Sequence, residues 1–438
     1  MEMFGALDYF RGALTLPARG EGRHPARASD HSGPVAYIMN LFPNLTETFV
    51  YREVQSLRAG GLGVRAFSIR RPCEEEISPE AHQHLHDTYY VLPLPLGVLV
   101  REHIRTFCAQ PRQYLRILRD VLTGSHDRWT DRLRSLCHFG EAVSLIQVMR
   151  ESRVRHIHAH FAVGSATCAW VLARFLRLPF SFTAHAYDIW QDRLLLSEKL
   201  RGAAFVVTCT EYNRRHLLQL VPNLTRPIHV VYHGVDTQRF VPTARPVRAV
   251  PRILAVGRLC EQKGFATLLR GCAMLAQWGE PFECTIVGDG PLADSLRVLA
   301  RQLELDERIH FLGRAFQEQM PDHYAQSDLF VLPCTRANDN DRDGIPNTIK
   351  EAMATGLAVV STWFSGVPEL VVDEVTGLLV APDHPEALAR AMQRLLQSPD
   401  LRCRFGTAGR ERVVIEASMV AATAQLAALF DTSHPPSE

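Results

Sequence analysis

The chain has 438 residues, more than one ordinary hydrophobic core holds, so two or three domains are expected. Hydrophobic residues make up 46% and charged residues 22%, the balance of a soluble globular protein. A net charge of +1 excludes a generally polyanionic partner such as nucleic acid and leaves local patches open. The ten cysteines are scattered, with no C-x-x-C pair and no Cys/His metal cluster, and read as reduced, mostly buried thiols. The first thirty residues are polar and rich in Arg, Gly and Pro, with no apolar core of a signal peptide. Apolar runs at 91–100 and 417–430 are too short or too interrupted to span a bilayer. The expectation is a cytoplasmic protein, or one that touches the inner face of the plasma membrane.

Residues 1–33 read as a flexible extension. Order is expected from Val35-Ala36-Tyr37-Ile38-Met39, an apolar run suited to a buried strand. A loop leads into a helix carrying Phe49, Val50, Val54 and Leu57, which Gly60-Gly61 closes before a strand at 64–69. Further strands are expected at 156–160, 180–184, 204–208 and 228–232. Residues 237–251 hold Pro242, Pro246 and Pro251 with little apolar content, and 241–251 reads as a linker. The pattern then restarts, with strands at 253–256, 284–287, 309–311, 329–332 and 358–361. Strands alternating with helices argue for an α/β protein whose parallel sheets are covered on both faces. The expected architecture is two Rossmann-like, doubly wound domains, at 34–240 and 252–410. A helix at 411–430, able to cross back to the first domain, and a tail at 431–438 complete it. Two such domains in series put a ligand cleft between the carboxyl ends of their strands.

The densest chemistry lies at 343–354. Gly344 lets backbone approach a ligand, Pro346 suits the first helical position, and Glu351 falls one turn beyond Asn347 on the same face. Free N–H groups at such a helix start attract an anion, while the carboxylates of Asp343 and Glu351 accept from hydroxyls. A sugar nucleotide needs that combination. An acidic helix start with a solvated glutamate explains the same residues, and this segment alone does not separate the two.

Gly257-Arg258 and Lys263-Gly264 leave the end of a strand with two cations five residues apart. Arg258 can grip a phosphate with paired N–H donors, and Lys263 adds a point charge. Each charge-assisted bond contributes roughly 1.5–3 kcal/mol. Val287-Gly288-Asp289-Gly290-Pro291 lacks the third glycine of a dinucleotide fingerprint, which counts against a dehydrogenase, and Asp289 reads as turn chemistry. Glu369 reads as a carboxylate favouring the dipole of its own helix. Asp339-Asn340-Asp341 reads as a solvated turn rather than a metal site.

In the first half, Thr183-Ala184-His185 closes a strand, which projects His185 into the cleft. His158 and His160 share one face, but no third metal ligand is apparent, so His160 is a cleft-lining candidate and His158 a structural one. Thr46-Glu47-Thr48-Phe49 leaves two readings of Glu47: orienting an acceptor hydroxyl, or capping the following helix. From Arg101 to Arg155 stand eleven arginines against six acids, with Ile104, Phe107, Leu115, Leu118 and Leu122 interleaved. Such amphipathic helices suit an anionic bilayer or a lipid-diphosphate acceptor, and equally a solvated face.

Taken in order, these segments, with Ser327–Pro333, Gly366-Val367-Pro368-Glu369-Leu370 and Gly377-Leu378-Leu379-Val380, resemble the retaining nucleotide-sugar glycosyltransferases of family 4. These are built on the GT-B fold, and the resemblance runs from about Val35 to Phe430. The loop Thr46-Glu47-Thr48-Phe49 resembles a branch that builds bacterial exopolysaccharide, colanic acid and lipopolysaccharide. The resemblance implies a hexosyltransferase with no bound metal or cofactor. It puts Arg258 and Lys263 on the donor diphosphate, Glu351 on the ribose, and Gly344, Ile345, Pro346 and Asn347 along the donor. His185 and position 343 would face the transferred sugar, with Thr46, Glu47 and His160 on the acceptor side. The family usually carries Glu where this chain has Asp343, a side chain one methylene shorter. The implied donor is a UDP-sugar, with a GDP-sugar next, and the acceptor a glycan or lipid-linked glycan. An epimerase or phosphorylase of the same fold, and a non-catalytic nucleotide-sugar-binding protein, are the alternatives.

Overall fold

The computed structural model describes residues 33–44, 47–73, 77, 79–245 and 248–432. Nearly all of the expected extension, Thr46 and most of the expected tail lie outside the described residues.

The first sheet holds seven strands: β1 (Val35–Leu41), β2 (Val64–Arg70), β3 (Thr88–Tyr90), β4 (His156–His160), β5 (Phe180–Ala184), β6 (Phe205–Thr208) and β7 (Ile228–Val230). All are parallel, in the order β3-β2-β1-β4-β5-β6-β7. The second sheet holds β8 (Arg252–Val256), β9 (Glu283–Val287), β10 (Ile309–Gly313), β11 (Leu329–Val331), β12 (Ala358–Thr362) and β13 (Gly377–Val380). These too are parallel, in the order β10-β9-β8-β11-β12-β13. Both sheets are doubly wound, and the order reverses beside β1 and beside β8. That reversal opens a crevice at the carboxyl ends of the strands, where such sheets bind ligands.

β1 shows why its sequence is a continuous apolar run. Val35, Tyr37 and Met39 enter the core beneath helix Thr48–Ala59, while Ala36 and Ile38 enter the core beneath helices Trp129–Glu151 and Gly164–Leu176. A central parallel strand has no solvent face to alternate with. The second domain closes around one core, which Val235 and Phe240 already join, ahead of the proline-rich stretch. The basic segment forms three helices between β3 and β4: Leu96–Ala109, Pro111–Thr123 and Trp129–Glu151.

A single helix at 411–430 does not form. The chain makes two, Pro399–Glu416 and Met419–Thr432. The break exists because Val235 bridges it: its N–H donates to the Ala417 carbonyl and its own carbonyl accepts from the Met419 N–H, both at 2.9 Å. The local signal is Ser418, whose Oγ accepts from the Ala421 N–H at 3.3 Å. The last helix crosses to the first domain. There Ser56 Oγ and Thr423 Oγ1 lie 3.0 Å apart, and the Phe430 ring meets Tyr37, His156 and His158.

Candidate functional site

A cleft of about 560 Å³ opens where the two sheets face each other. Leu41, Pro43, Asn44 and Thr48 line it from the first domain; Gly257, Arg258, Gly288, Asp289, Gly290, Arg314, Gln317, Thr348 and Glu351 line it from the second. Arg258 is exposed to this space and has no side-chain partner among the described residues. Arg314, just past β10, offers a second such cation. Sequence reading missed it, although Gly313-Arg314 repeats the strand-end signal of Gly257-Arg258. Asp289 holds its turn, accepting from the Gly290 N–H at 2.8 Å.

Helix Asn347–Ala354 begins one residue later than expected. Pro346 is its N-cap in extended geometry, and Thr348 Oγ1 ties the first turn to β8 by donating to the Val256 carbonyl at 3.0 Å. Glu351 is buried rather than solvated. One carboxylate oxygen accepts from Gln317 Nε2 at 2.5 Å and the other from the Tyr324 hydroxyl at 2.8 Å. Each oxygen retains a second lone pair for a hydroxyl in the cleft.

Asp343 stands apart from Glu351. Its Oδ2 pairs with Lys263 Nζ at 2.8 Å; neither side chain lines the cleft itself, but the Lys263 stem runs beside Gly257, which does. Burial works against the Lys263 ammonium, but the neighbouring Asp343 carboxylate more than reverses this and keeps the lysine charged. Gly344 lies against the domain seam: a Cβ there would lie 3.1 Å from Cys209 Sγ and 3.2 Å from Thr210 Cγ2. Gly366 is tighter still, 2.4 Å from the same threonine methyl. Ile345 packs into the second core. Asn347 Oδ1 is buried with no partner among the described residues.

His185 does end its strand facing the other domain, but it sits inside the seam and does not line the open cleft. Its N–H donates to Asp188 Oδ1 at 2.9 Å, and its carbonyl accepts from Asn213 Nδ2. The ring lies 4.1 Å from Phe161, 4.9 Å from His233 and 5.3 Å from Phe49. Burial holds the imidazole well below the usual histidine range, so it is neutral. A chain of contacts leads to its ring from helix Thr48–Ala59. Glu53 Oε1 accepts from the Tyr37 hydroxyl at 2.9 Å and lies 3.0 Å from His160 Nε2. A carboxylate only accepts, so His160 carries its hydrogen on Nε2, and its Nδ1 faces His185 Nε2 at 3.4 Å. His185 Nδ1 is buried with no partner among the described residues.

A third residue able to offer a ligand atom, not apparent in the sequence, does stand beside the His158/His160 pair: folding brings Glu53 there from helix Thr48–Ala59. Both nitrogens of His158 already face hydroxyls, Ser181 at 2.8 Å and Thr183 at 3.1 Å. Glu47 occupies the N-cap of its helix, yet its side chain makes no cap bond. Burial pushes its carboxyl up to about 7, partly countered by nearby His160.

Two more seam residues escaped the sequence reading. His233, past the end of β7, stacks on Phe49 at 4.2 Å; its carbonyl accepts from Lys350 Nζ at 2.8 Å and its Nε2 lacks a partner among the described residues. Burial brings the Lys350 ammonium down to about 8. Glu369 stands in the first turn of its own short helix and also reaches across the seam. It caps helix Glu211–Leu220 of the other domain, accepting from the N–H groups of Glu211 at 2.7 Å and Tyr212 at 2.8 Å.

Two doubly wound parallel sheets meeting across a cation-lined cleft define the GT-B framework of glycosyltransferases. The family model Glycosyltransferase Family 4 matches residues 46–239, and Glycosyl transferases group 1 matches 245–412. Each half of the chain thus carries one of the two glycosyltransferase models. It is 35% identical over 205 residues to an amylovoran biosynthesis glycosyltransferase of Erwinia amylovora, an alignment covering 47% of this chain and 50% of that protein. A putative colanic acid biosynthesis glycosyltransferase of Escherichia coli is 37% identical over 167 residues, covering 37% of this chain and 41% of its own. A GDP-mannose-dependent mannosyltransferase acting on phosphatidylinositol monomannoside, from Mycobacterium tuberculosis, is 31% identical over 193 residues, 42% of this chain and 50% of its own. The chain thus spans about half the length of the curated relatives it matches. Among solved structures, a Rickettsia africae glycosyltransferase has a TM-score of 0.67 at 17% identity, covering 92% of this chain and all of its own. Anabaena HepE in complex with UDP and glucose has a TM-score of 0.68 at 15% identity, covering 91% of this chain and all of its own.

Proposed function

We propose that the protein transfers a sugar, with retention of anomeric configuration, from a nucleotide diphosphate donor to a hydroxyl of a glycan or lipid-linked glycan in bacterial surface polysaccharide synthesis. The observation that carries this reading is the pairing, on one cleft wall, of the free Arg258 cation with the buried but still accepting Glu351 carboxylate. Arg258 grips the diphosphate, assisted by Lys263, and Glu351 takes the ribose hydroxyls. Asp343, the segment Gly344 to Asn347, and His185 form the donor-sugar end. His185 Nδ1, His233 Nε2 and Asn347 Oδ1, buried at the same seam with no partner among the described residues, call for a polar ligand such as a sugar hydroxyl. Glu47 and His160 sit on the acceptor side. UDP-sugars come first as donors and GDP-sugars next, since the named relatives and neighbours include proteins of both kinds.

The acceptor domain also presents a surface suited to an anionic bilayer at the cytoplasmic face of the membrane. Leu96, Val100, Ile104 and Phe107 are exposed at helical spacing, with Arg101 and Arg105 in the same open groove. No helix among the described residues is long and apolar enough to cross a membrane. Lying on the surface is the mode this stripe supports. Sedimentation with phosphatidylglycerol vesicles at low salt, lost in an Ile104→Glu/Phe107→Glu variant, supports it; a wild-type protein left in the supernatant removes it.

The transferase reading is tested by incubating donors with and without a glycan acceptor and following the product by NMR. Acceptor-dependent transfer with the donor's anomeric configuration is expected. Inverted configuration contradicts retention, and epimerised or phosphorolysed donor without acceptor favours the alternative activities.

A further inference from the structure

Arg342 is buried at 5% exposure, and no carboxylate lies within ion-pair distance of its guanidinium among the described residues. A buried, uncompensated cation is costly unless other groups hold it. Here the groups come from the opposite domain. The guanidinium carbon lies 3.8 Å from the Trp190 ring centroid, and Nη1 donates to the Tyr212 hydroxyl at 2.8 Å. On its own side Arg342 donates to the carbonyl and side-chain oxygens of Asn340. Trp190 is itself fixed, stacked on His216 at 3.5 Å and donating from Nε1 to Asn213 Oδ1 at 3.1 Å. Asn213 in turn donates to the His185 carbonyl. One continuous set of contacts therefore runs from the residue preceding Asp343, across the seam, to the backbone of His185.

We propose that Arg342 is a positioning residue: by stacking on Trp190 it holds the two domains closed and sets Asp343 and His185 against the same substrate. This rests on the reading of those two residues as the donor-sugar end of the site. Arg342 is not assigned a contact with the nucleotide, because it does not line the cleft that Arg258 and Glu351 share. Closure, and not donor capture, is what it controls. The planar guanidinium matters as much as its charge, since lysine cannot present a flat face to the indole while bonding Tyr212.

The test uses the full chain with Arg342→Met, Arg342→Lys, Trp190→Leu and the Met/Leu double variant. Arg342→Met and Trp190→Leu are each expected to lower kcat about tenfold or more while the Kd for UDP or GDP stays within about twofold, and Arg342→Lys is expected to recover only part of the loss. The double variant should be no worse than either single one. Additive losses, or a full recovery by lysine, overturn the pairing. Small-angle scattering reads closure without turnover: the wild type should have the smaller radius of gyration, and Arg342→Met the larger. Equal radii overturn the latch. Unequal radii in a protein that transfers no sugar keep the latch and overturn the transferase reading.

Discussion

The Lys263–Asp343 pair makes a prediction that separates binding from turnover. At 2.8 Å and an effective dielectric near 20, the gross attraction is about 6 kcal/mol. The side chains retain 14% and 27% exposure, so solvent screens much of it, and removing one partner should cost about 2 kcal/mol, below the 3–5 kcal/mol of a fully buried pair. Asp343→Asn should then lower the melting temperature of the free protein by roughly 4–8 °C. In the native chain an incoming diphosphate competes with Asp343 for Lys263; in the variant it does not. Nucleoside diphosphate should bind the variant about tenfold more tightly, and saturating nucleotide should restore more of its melting temperature than it adds to the wild type. Turnover should nonetheless collapse, because the carboxylate at the donor-sugar end is gone. Differential scanning calorimetry with and without UDP and GDP, beside steady-state kinetics, checks all three. Weaker nucleotide binding in Asp343→Asn, or full activity, refutes the placement of this pair.

Other consequences are as direct. His185→Ala should abolish transfer while changing nucleotide Kd less than about twofold, since its ring sits in the seam and not in the cleft; a parallel loss of binding contradicts this. Glu47 has a folded pKa raised to about 7, so the folded state holds its proton above the unfolded pKa, and the stability it contributes below about pH 4.5 is lost as pH rises through 7. Glu47→Gln should therefore stabilise the protein by about 1–3 kcal/mol at pH 8 and hardly at all at pH 4, by urea unfolding at the two pH values. Phe430→Ala should cost about 3–5 kcal/mol by emptying the space against Tyr37, His156 and His158, with the last helix detaching first in hydrogen exchange.

The doubly wound sheets were legible because their strands are buried on both faces and read as unbroken apolar runs, as at Val35 to Met39. β3 and β13 were not placed as strands; at three and four residues they are held by pairing with a longer neighbour rather than by their own pattern. Strand-end glycines next to cations pointed correctly to the cleft wall at Arg258, and the same sign at Arg314 was passed over. What sequence could not supply was pairing at a distance. Glu53 reaches His160 across 107 positions and Glu369 caps a helix 158 residues away. Asp343 and Glu351 read as one carboxylate pair because they are close in sequence. In the fold each has its own partners, and only Glu351 meets the cleft. The helix break at Ser418 escaped because its cause, the Val235 bridge, belongs to another part of the chain.

The nucleotide site is tested most directly by titration calorimetry of UDP and GDP into the wild-type chain, Arg258→Met and Glu351→Ala. Micromolar binding of at least one nucleotide is expected, weakened about tenfold or more in each variant. Binding that neither substitution alters, or no binding of either nucleotide, would contradict it.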